Sequence, residues 1–344
     1  MAHPRFGFSI SPGAPLGVAA EAVQAEALGY DRIGIWDSPA LFREPLVTLA
    51  AAARDTRRIA LGTWVTNPLS RHPVVTASAA ATLDELALGR TYIGIGSGDT
   101  GVMHLGLRAA PLAHLEQYVL AVRRLLEDGQ AAYGGQTARL NWAQRHIPIL
   151  IAAHGAKSLR LAGRIGDGVV VGLGVTPEVI QAALALIDDG ARDAGRRLAD
   201  IEVWFTCFWF VDPEPGAAHR QAGWAAASFA SHFARAGLDG KLVPPEYHAA
   251  LREFGSAYDK VTHGAVPDAQ KDEYAALAER LGVRDYFQHR FVFAGTPDEV
   301  VGQVQIAAAA GAANFDGAID APLPEHQARI AAWARWVLPH FKSP

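Results

Sequence analysis

Short apolar runs alternate along the chain with longer segments in which apolar residues recur every three or four positions. Runs at 5–10, 32–36, 59–65, 92–96, 148–152, 168–172, 201–211 and 314–319 predict eight strands. Helical periodicity at 17–28, 45–55, 73–86, 112–126, 156–164, 177–194, 297–310 and 324–337 predicts eight helices between and after them. Several of these open on proline (Pro45, Pro73, Pro177, Pro297, Pro324), whose missing N–H costs nothing in a first turn. Eight successive βα units predict an α/β protein with a TIM (β/α)8 barrel spanning 1–344 as one domain, with a doubly wound open sheet as the alternative. A barrel needs about 250 residues, so insertions must hold the rest. One candidate is 129–146. The larger, 212–290, falls between the seventh strand and its helix. Its aromatics (Trp224, Phe229, Phe233, Tyr247, Phe254, Tyr258, Tyr274) and its Val243-Pro244-Pro245 turn predict a helical segment acting as a substrate lid.

Composition narrows the classes. Half of the 344 residues are hydrophobic and 19% are charged, which suits a packed core and excludes a disordered chain. A net charge of -4 offers no electrostatic reason to bind nucleic acid or an anionic membrane. The single cysteine, Cys207, excludes an internal disulfide and a cysteine-based zinc cluster. No signal-like segment opens the chain, and the longest apolar run, 203–211, is far below the ~18 residues of a membrane helix. The expectation is a cytoplasmic, soluble protein.

Barrel chemistry gathers at the C-terminal ends of the strands, and those positions are polar here. After strand two come Asp37 and Ser38, after strand three Thr66 and Asn67, after strand four Ser97, Gly98, Asp99 and Thr100, and after strand five His154, Gly155, Ala156, Lys157 and Ser158. The last group leads from a strand into a helix, so free amides and the helix dipole can hold a phosphate, or Gly155 simply permits a tight turn. Asp99 is either an acid or hydrogen-bond acceptor toward a flat ligand, or the cap of the next helix. His72, His104 and His154 fit turn or supporting positions. None of the 13 histidines shows a metal-ligand spacing, so no metal site is expected.

Gly62-Thr63-Trp64-Val65-Thr66-Asn67-Pro68, Arg71-His72-Pro73, Ala81-Thr82-Leu83-Asp84-Glu85-Leu86 and Gly94-Ile95-Gly96-Ser97-Gly98-Asp99, in that order, resemble the luciferase-like flavin oxidoreductases, and in particular the branch containing methylenetetrahydromethanopterin reductase. The resemblance implies a barrel that binds FMN, or the deazaflavin coenzyme F420, at its mouth. It implies that Thr63, Trp64, Val65, Thr66 and Asn67 line the ring, with a cis peptide at Trp64–Val65. Ser97, Gly98 and Asp99 would lie by the ring and its side chain, and His154, Gly155 and Ala156 would receive the phosphate. Relatives in the family often carry a histidine after strand two, where this chain has Trp36-Asp37-Ser38, so Asp99 inherits the acid/base candidacy, with Asp37 and His72 next. The main expectation is an FMN monooxygenase fed by a separate flavin reductase and acting on a small apolar or aromatic substrate. The alternatives are an F420-dependent reductase or dehydrogenase and a non-catalytic ligand-binding barrel. A homodimer is expected, partly from the resemblance and partly from the alanine-rich second and third helices.

Overall fold

Eight parallel strands close into a barrel: β1 (Arg5–Ile10), β2 (Arg32–Ile35), β3 (Ala60–Thr66), β4 (Thr91–Ile95), β7 (Ile149–Ala153), β8 (Gly168–Val171), β9 (Glu202–Val211) and β11 (Asn314–Ile319). The ring is completed by β11 pairing with β1, Asn314 opposite Arg5. In this computed structural model the described residues are 3–224, 233, 237–259, 266–319, 321 and 323–342. The strands are those expected from the apolar runs, and the architecture is the expected TIM barrel. Three further strands among the described residues were not anticipated. β5 (Gln130–Tyr133) and β6 (Gln136–Arg139) form an antiparallel hairpin inside the smaller insertion. β10 (Val292–Gly295) pairs with the upper half of β9, whose lower half pairs with β11.

The helices follow the proline and glycine punctuation. They are α1 (Pro15–Leu28), α2 (Pro45–Asp55), α3 (Pro73–Leu86), α4 (Thr100–Met103), α5 (Leu112–Asp128), α6 (Ala156–Ile165) and α7 (Pro177–Asp193). Beyond β9 come α8 (Ala217–Gln221), α9 (His248–Ala257), α10 (Asp268–Arg280), α11 (Arg284–Phe291), α12 (Pro297–Ala309) and α13 (Leu323–Trp336). The Glu44 carboxylate accepts from the Val47 amide at 2.7 Å and so caps α2. Helices α8 to α11 occupy the described part of 212–290. Residues 225–232, 234–236 and 260–265 of that insertion, Phe229 among them, lie outside the described residues.

Among the described residues the hydrophobic side chains form two cores. The larger lies between the helices and the outer faces of the strands. The smaller fills the barrel interior with Trp64, Tyr92, Leu150, Val170 and Trp204. Such large side chains fit because their neighbours are glycines; a Cβ on Gly34 would sit 2.6 Å from that of Trp64. At the N-terminal end of the barrel the buried Arg32 guanidinium lies 3.8 Å from the Trp204 ring centroid and 4.2 Å from that of Tyr92, and its Nη2 is 3.2 Å from Glu202. This lower half is filled, so chemistry is confined to the opposite end.

Candidate active site

One side of the mouth is built from the ends of β2, β3 and β4. The strand pairing of β3 with β4 slips between Thr63 and Thr66, and the Trp64–Val65 peptide there is cis. The Thr63 hydroxyl donates to the Gly94 carbonyl at 2.7 Å, while Thr66 Oγ1 donates to Asp37 Oδ2 at 2.6 Å. Arg71 holds the same carboxylate, with Nη1 2.5 Å from Asp37 Oδ2, and its Nη2 reaches Glu44 at 2.6 Å. Despite the desolvation of Arg71, its two acidic partners hold its pKa above the ordinary value. Asn67 Oδ1 accepts from the amides of Leu69 and Ser70, turning the chain toward Arg71. Ser38 and Thr100 hydroxyls meet at 2.9 Å, and a Cβ on Gly101 would run into the Asp37 carbonyl. The β2 turn and the short helix α4 are therefore in backbone contact.

Asp99 precedes α4. Its carbonyl accepts from Val102 and Met103, but its half-buried side chain makes no capping bond to that helix. Gly98 has φ +98°, a left-handed backbone that glycine adopts without strain.

Next around the mouth, on the strand beside β4, is the β7–α6 turn. Ser158 Oγ accepts from the amides of His154 and Gly155 and donates to the Gly155 carbonyl. The first intrahelical bond runs from the Leu159 amide to the Gly155 carbonyl, so the amides of Ala156 and Lys157 precede the ladder. Nothing lies within 4 Å of where a Cβ on Gly155 would sit, whereas one on Gly172 would overlap the His154 imidazole. Gly240, from the insertion, comes up against this turn: a Cβ there would be 3.9 Å from that of Ala156.

Arg290 fixes that approach. Its buried guanidinium donates to the carbonyls of Leu173 (2.8 Å), Leu242 (2.6 Å) and Lys241 (2.5 Å) and to the Tyr286 hydroxyl (2.6 Å). It ties the loop after β8 to the 241–242 segment, and burial lowers its pKa. Arg290→Leu would leave three carbonyls without their donor. The expected result is cleavage by a protease within 237–243 at least about tenfold faster than in the parent, a population shift of about 1.4 kcal/mol, with barrel circular dichroism unchanged.

Beneath the mouth lies a polar pocket of the interior. The Ser9 hydroxyl donates to Asp316 Oδ2 at 2.8 Å, and both residues are fully buried. Burial pushes the Asp316 carboxyl up to about 7, against the lowering effects of the Ser9 bond and the Arg32 charge. Burial, with Asp316 as a lesser cause, also raises the Cys207 thiol.

Thr63, Thr66 and Asn67 thus share one stretch of the mouth with Asp37, Ser97, Gly98 and Asp99, and His154, Gly155 and Ala156 continue it after the neighbouring strand. The Trp64 side chain turns down into the interior cluster, its ring centroid 6.3 Å from that of Trp204. His72 is the exposed N-cap of α3: Nδ1 accepts from Val74, and the ring packs edge-on against Tyr133 of the hairpin. Arg71, Arg290 and the Ser9–Asp316 pair were not anticipated as site residues. Arg71 lay within Arg71-His72-Pro73 and Arg290 at the end of the 212–290 insertion, both already singled out, whereas Ser9 and Asp316 lay inside predicted strands. Among the described residues no three His, Cys, Asp or Glu side chains are grouped to hold a metal ion, and no helix is long and apolar enough to cross a membrane.

Comparison with known proteins adds three findings. The family model of luciferase-like monooxygenases matches residues 6–314. The chain is 28% identical over 302 residues to 5,10-methylenetetrahydromethanopterin reductase of Methanolobus tindarius, covering 86% of this chain and 87% of the relative. It is 32% identical over 232 residues to the F420-dependent glucose-6-phosphate dehydrogenase of Beutenbergia cavernae, covering 61% and 69%. The fold matches the structure of coenzyme F420-dependent tetrahydromethanopterin reductase from Methanopyrus kandleri with a TM-score of 0.79, at 24% identity over 99% of this chain and all of that one.

Proposed function

The chain belongs to the luciferase-like monooxygenase family, and from that premise we propose that it is an oxidoreductase moving a hydride between coenzyme F420 and a small organic substrate. The observation that carries this reading is the near full-length similarity to methylenetetrahydromethanopterin reductase, joined by similarity to an F420-dependent sugar-phosphate dehydrogenase. It is preferred here to FMN-dependent monooxygenation, the main expectation from sequence, because these relatives are a reductase of this kind and an F420-dependent dehydrogenase.

The residues present fit a flat ring with a phosphate-bearing tail. Gly96 and Gly172 bring no side chains into the upper barrel, and at Gly155 the helix start is open, with the amides of Ala156 and Lys157 available to an anion. When bound, the coenzyme supplies the two-electron redox chemistry; the protein supplies orientation and proton handling. In this reading Thr63, Val65, Thr66 and Asn67 line the ring and Asp99 bonds it. Asp37, held by Arg71 and Thr66, keeps the β3 end in place. The insertion, anchored by Arg290, covers the mouth. A homodimer through α2 and α3 completes the proposal, since Val47 and Val75 are exposed there.

Fluorescence titration tests the cofactor reading directly. F420 is expected to bind and FMN to bind at least about tenfold more weakly, a difference of about 1.4 kcal/mol. Gly155→Asp sets a carboxylate against the phosphate and is expected to weaken F420 binding by at least about tenfold. Unchanged affinity would remove the phosphate from this turn.

A further inference from the structure

The residues that cover the barrel interior from above form a low shelf with one tall edge. Along β2, Ile33 and Ile35 pack into the outer core, whereas Arg32 lies on the interior rings and a Cβ on Gly34 would meet Trp64. Alternation therefore turns Trp36 inward, and its amide still follows the strand, donating to the Ile10 carbonyl at 3.0 Å. Trp36, Val65 and Ala152 rest on the interior cluster at its mouth end, and all three are only partly buried. Gly96 stands between the last two: a Cβ there would be 3.2 Å from Val65 Cγ2 and 3.3 Å from that of Ala152. In the strand order β2, β3, β4, β7, the indole thus occupies one end of the shelf and the β7–α6 turn follows the other. Trp36 is braced from behind by the outer core and by Phe42, whose ring meets the indole edge-on with centroids 6.2 Å apart. The Ser38 carbonyl, accepting from the amides of Leu41 and Phe42 at 2.9 Å each, makes the turn that returns Phe42 to it. The charges at this corner satisfy one another, Asp37 being held by Thr66 and Arg71, and Arg71 also by Glu44.

We propose that Trp36 is a substrate-contact residue that directs the enzyme to small uncharged molecules carrying an aromatic ring or an alkyl group beside the carbon that exchanges hydride. The proposal rests on the hydride-transfer reading above. A flat ring whose phosphate is held at the β7–α6 turn lies along the shelf of Ala152, Gly96 and Val65, and its far edge points to the end of β2. There the indole offers an apolar face much larger than the shelf itself, and an aromatic or alkyl group placed beside the ring buries its surface against it. An anionic substrate gains nothing at this corner, because two carboxylates already hold Arg71. Phe42 and the turn at Ser38 fix the angle of the indole before any substrate arrives, so the contact costs little ordering.

The first readout uses the cofactor-free protein labelled with nitrogen-15 in its tryptophans. The indole N–H resonance of Trp36, identified by its loss in Trp36→Phe, is expected to shift on titration with benzyl alcohol or cyclohexanol and to stay in place with glucose 6-phosphate. No shift with either alcohol, or an equal shift with glucose 6-phosphate, overturns the proposal. The second readout is oxidation of the same three compounds with F420 as acceptor. The parent should turn over the alcohols in preference to the sugar phosphate. Trp36→Ala should raise KM for them by at least about tenfold, change kcat by less than about threefold and keep F420 affinity. Trp36→Phe, which retains an aromatic face, should restore most of the lost KM, a rescue that general damage to the fold would not show. Parental KM in Trp36→Ala, no rescue by phenylalanine, or turnover of neither alcohol by the F420-bound parent also overturns it. If the parent fails to bind F420, the hydride-transfer reading falls, and the indole titration alone decides whether the apolar subsite exists.

Discussion

Glu21→Ala and His326→Ala are each expected to destabilise the protein by about 3–5 kcal/mol, among the largest single effects available outside the site. Glu21 lies on α1 and His326 on α13, the first and last long helices, and their side chains are buried with His326 Nδ1 3.4 Å from Glu21 Oε1. Neither carboxylate oxygen and neither ring nitrogen has a hydrogen-bond partner, so each group depends on the other. Removing either leaves its partner buried alone, and the desolvation already incurred is no longer offset. The double variant Glu21→Met with His326→Leu fills similar volume with apolar atoms and is expected to recover most of the loss. Urea unfolding of the four proteins at one pH checks this; single variants within 1 kcal/mol of the parent would show that the pair contributes little.

The second large effect depends on pH. The Asp316 carboxyl, raised to about 7 in the folded state, has an ordinary value of 3.8. Between these values the folded protein holds a proton that the unfolded chain has released, so stability falls as pH rises through that window and levels off above it. Three units correspond to about 4 kcal/mol. Asp316→Asn has nothing to ionise and can keep the Ser9 bond. Relative to the parent it is therefore expected to gain about 4 kcal/mol between pH 4 and pH 8. Equal pH slopes for the two proteins in denaturant unfolding would mean that the carboxyl titrates normally despite its burial.

The barrel was legible because each strand is an apolar run set off by turn residues, and because proline marks helix starts: α2 and α3 have the expected bounds to the residue. β10 was not legible, since it continues from α11 with no intervening turn residue. The hairpin turns on Gly134 and Gly135, both at positive φ, but its strands lack the apolar alternation that announces a sheet. In the site, positions after strands could be read off because barrel topology makes them equivalent. Partnerships could not. Asp37 and Arg71 are 34 residues apart, and Ser9 and Asp316 are separated by 307. A carboxyl inside β11 reads as an interruption of an apolar run until the register of three strands sets it beside Ser9. Arg290 likewise reads as a helix-terminal charge until its carbonyl partners are visible.

The length of β9 has a consequence for how such barrels diversify. Its lower half closes the ring against β11, while its upper half carries β10, with Phe208 opposite Val292 and Val211 opposite Gly295. The chain thus leaves at Val211 and returns at Val292, points only about three strand residues and one strand spacing apart, roughly 11 Å. A segment with ends so close can be recombined between homologous proteins as a cassette, because the graft joins two strands already in register and leaves the closure of the barrel untouched. Arg290 travels within the cassette, whereas Leu173, which accepts from it, stays behind as a backbone carbonyl that any residue supplies.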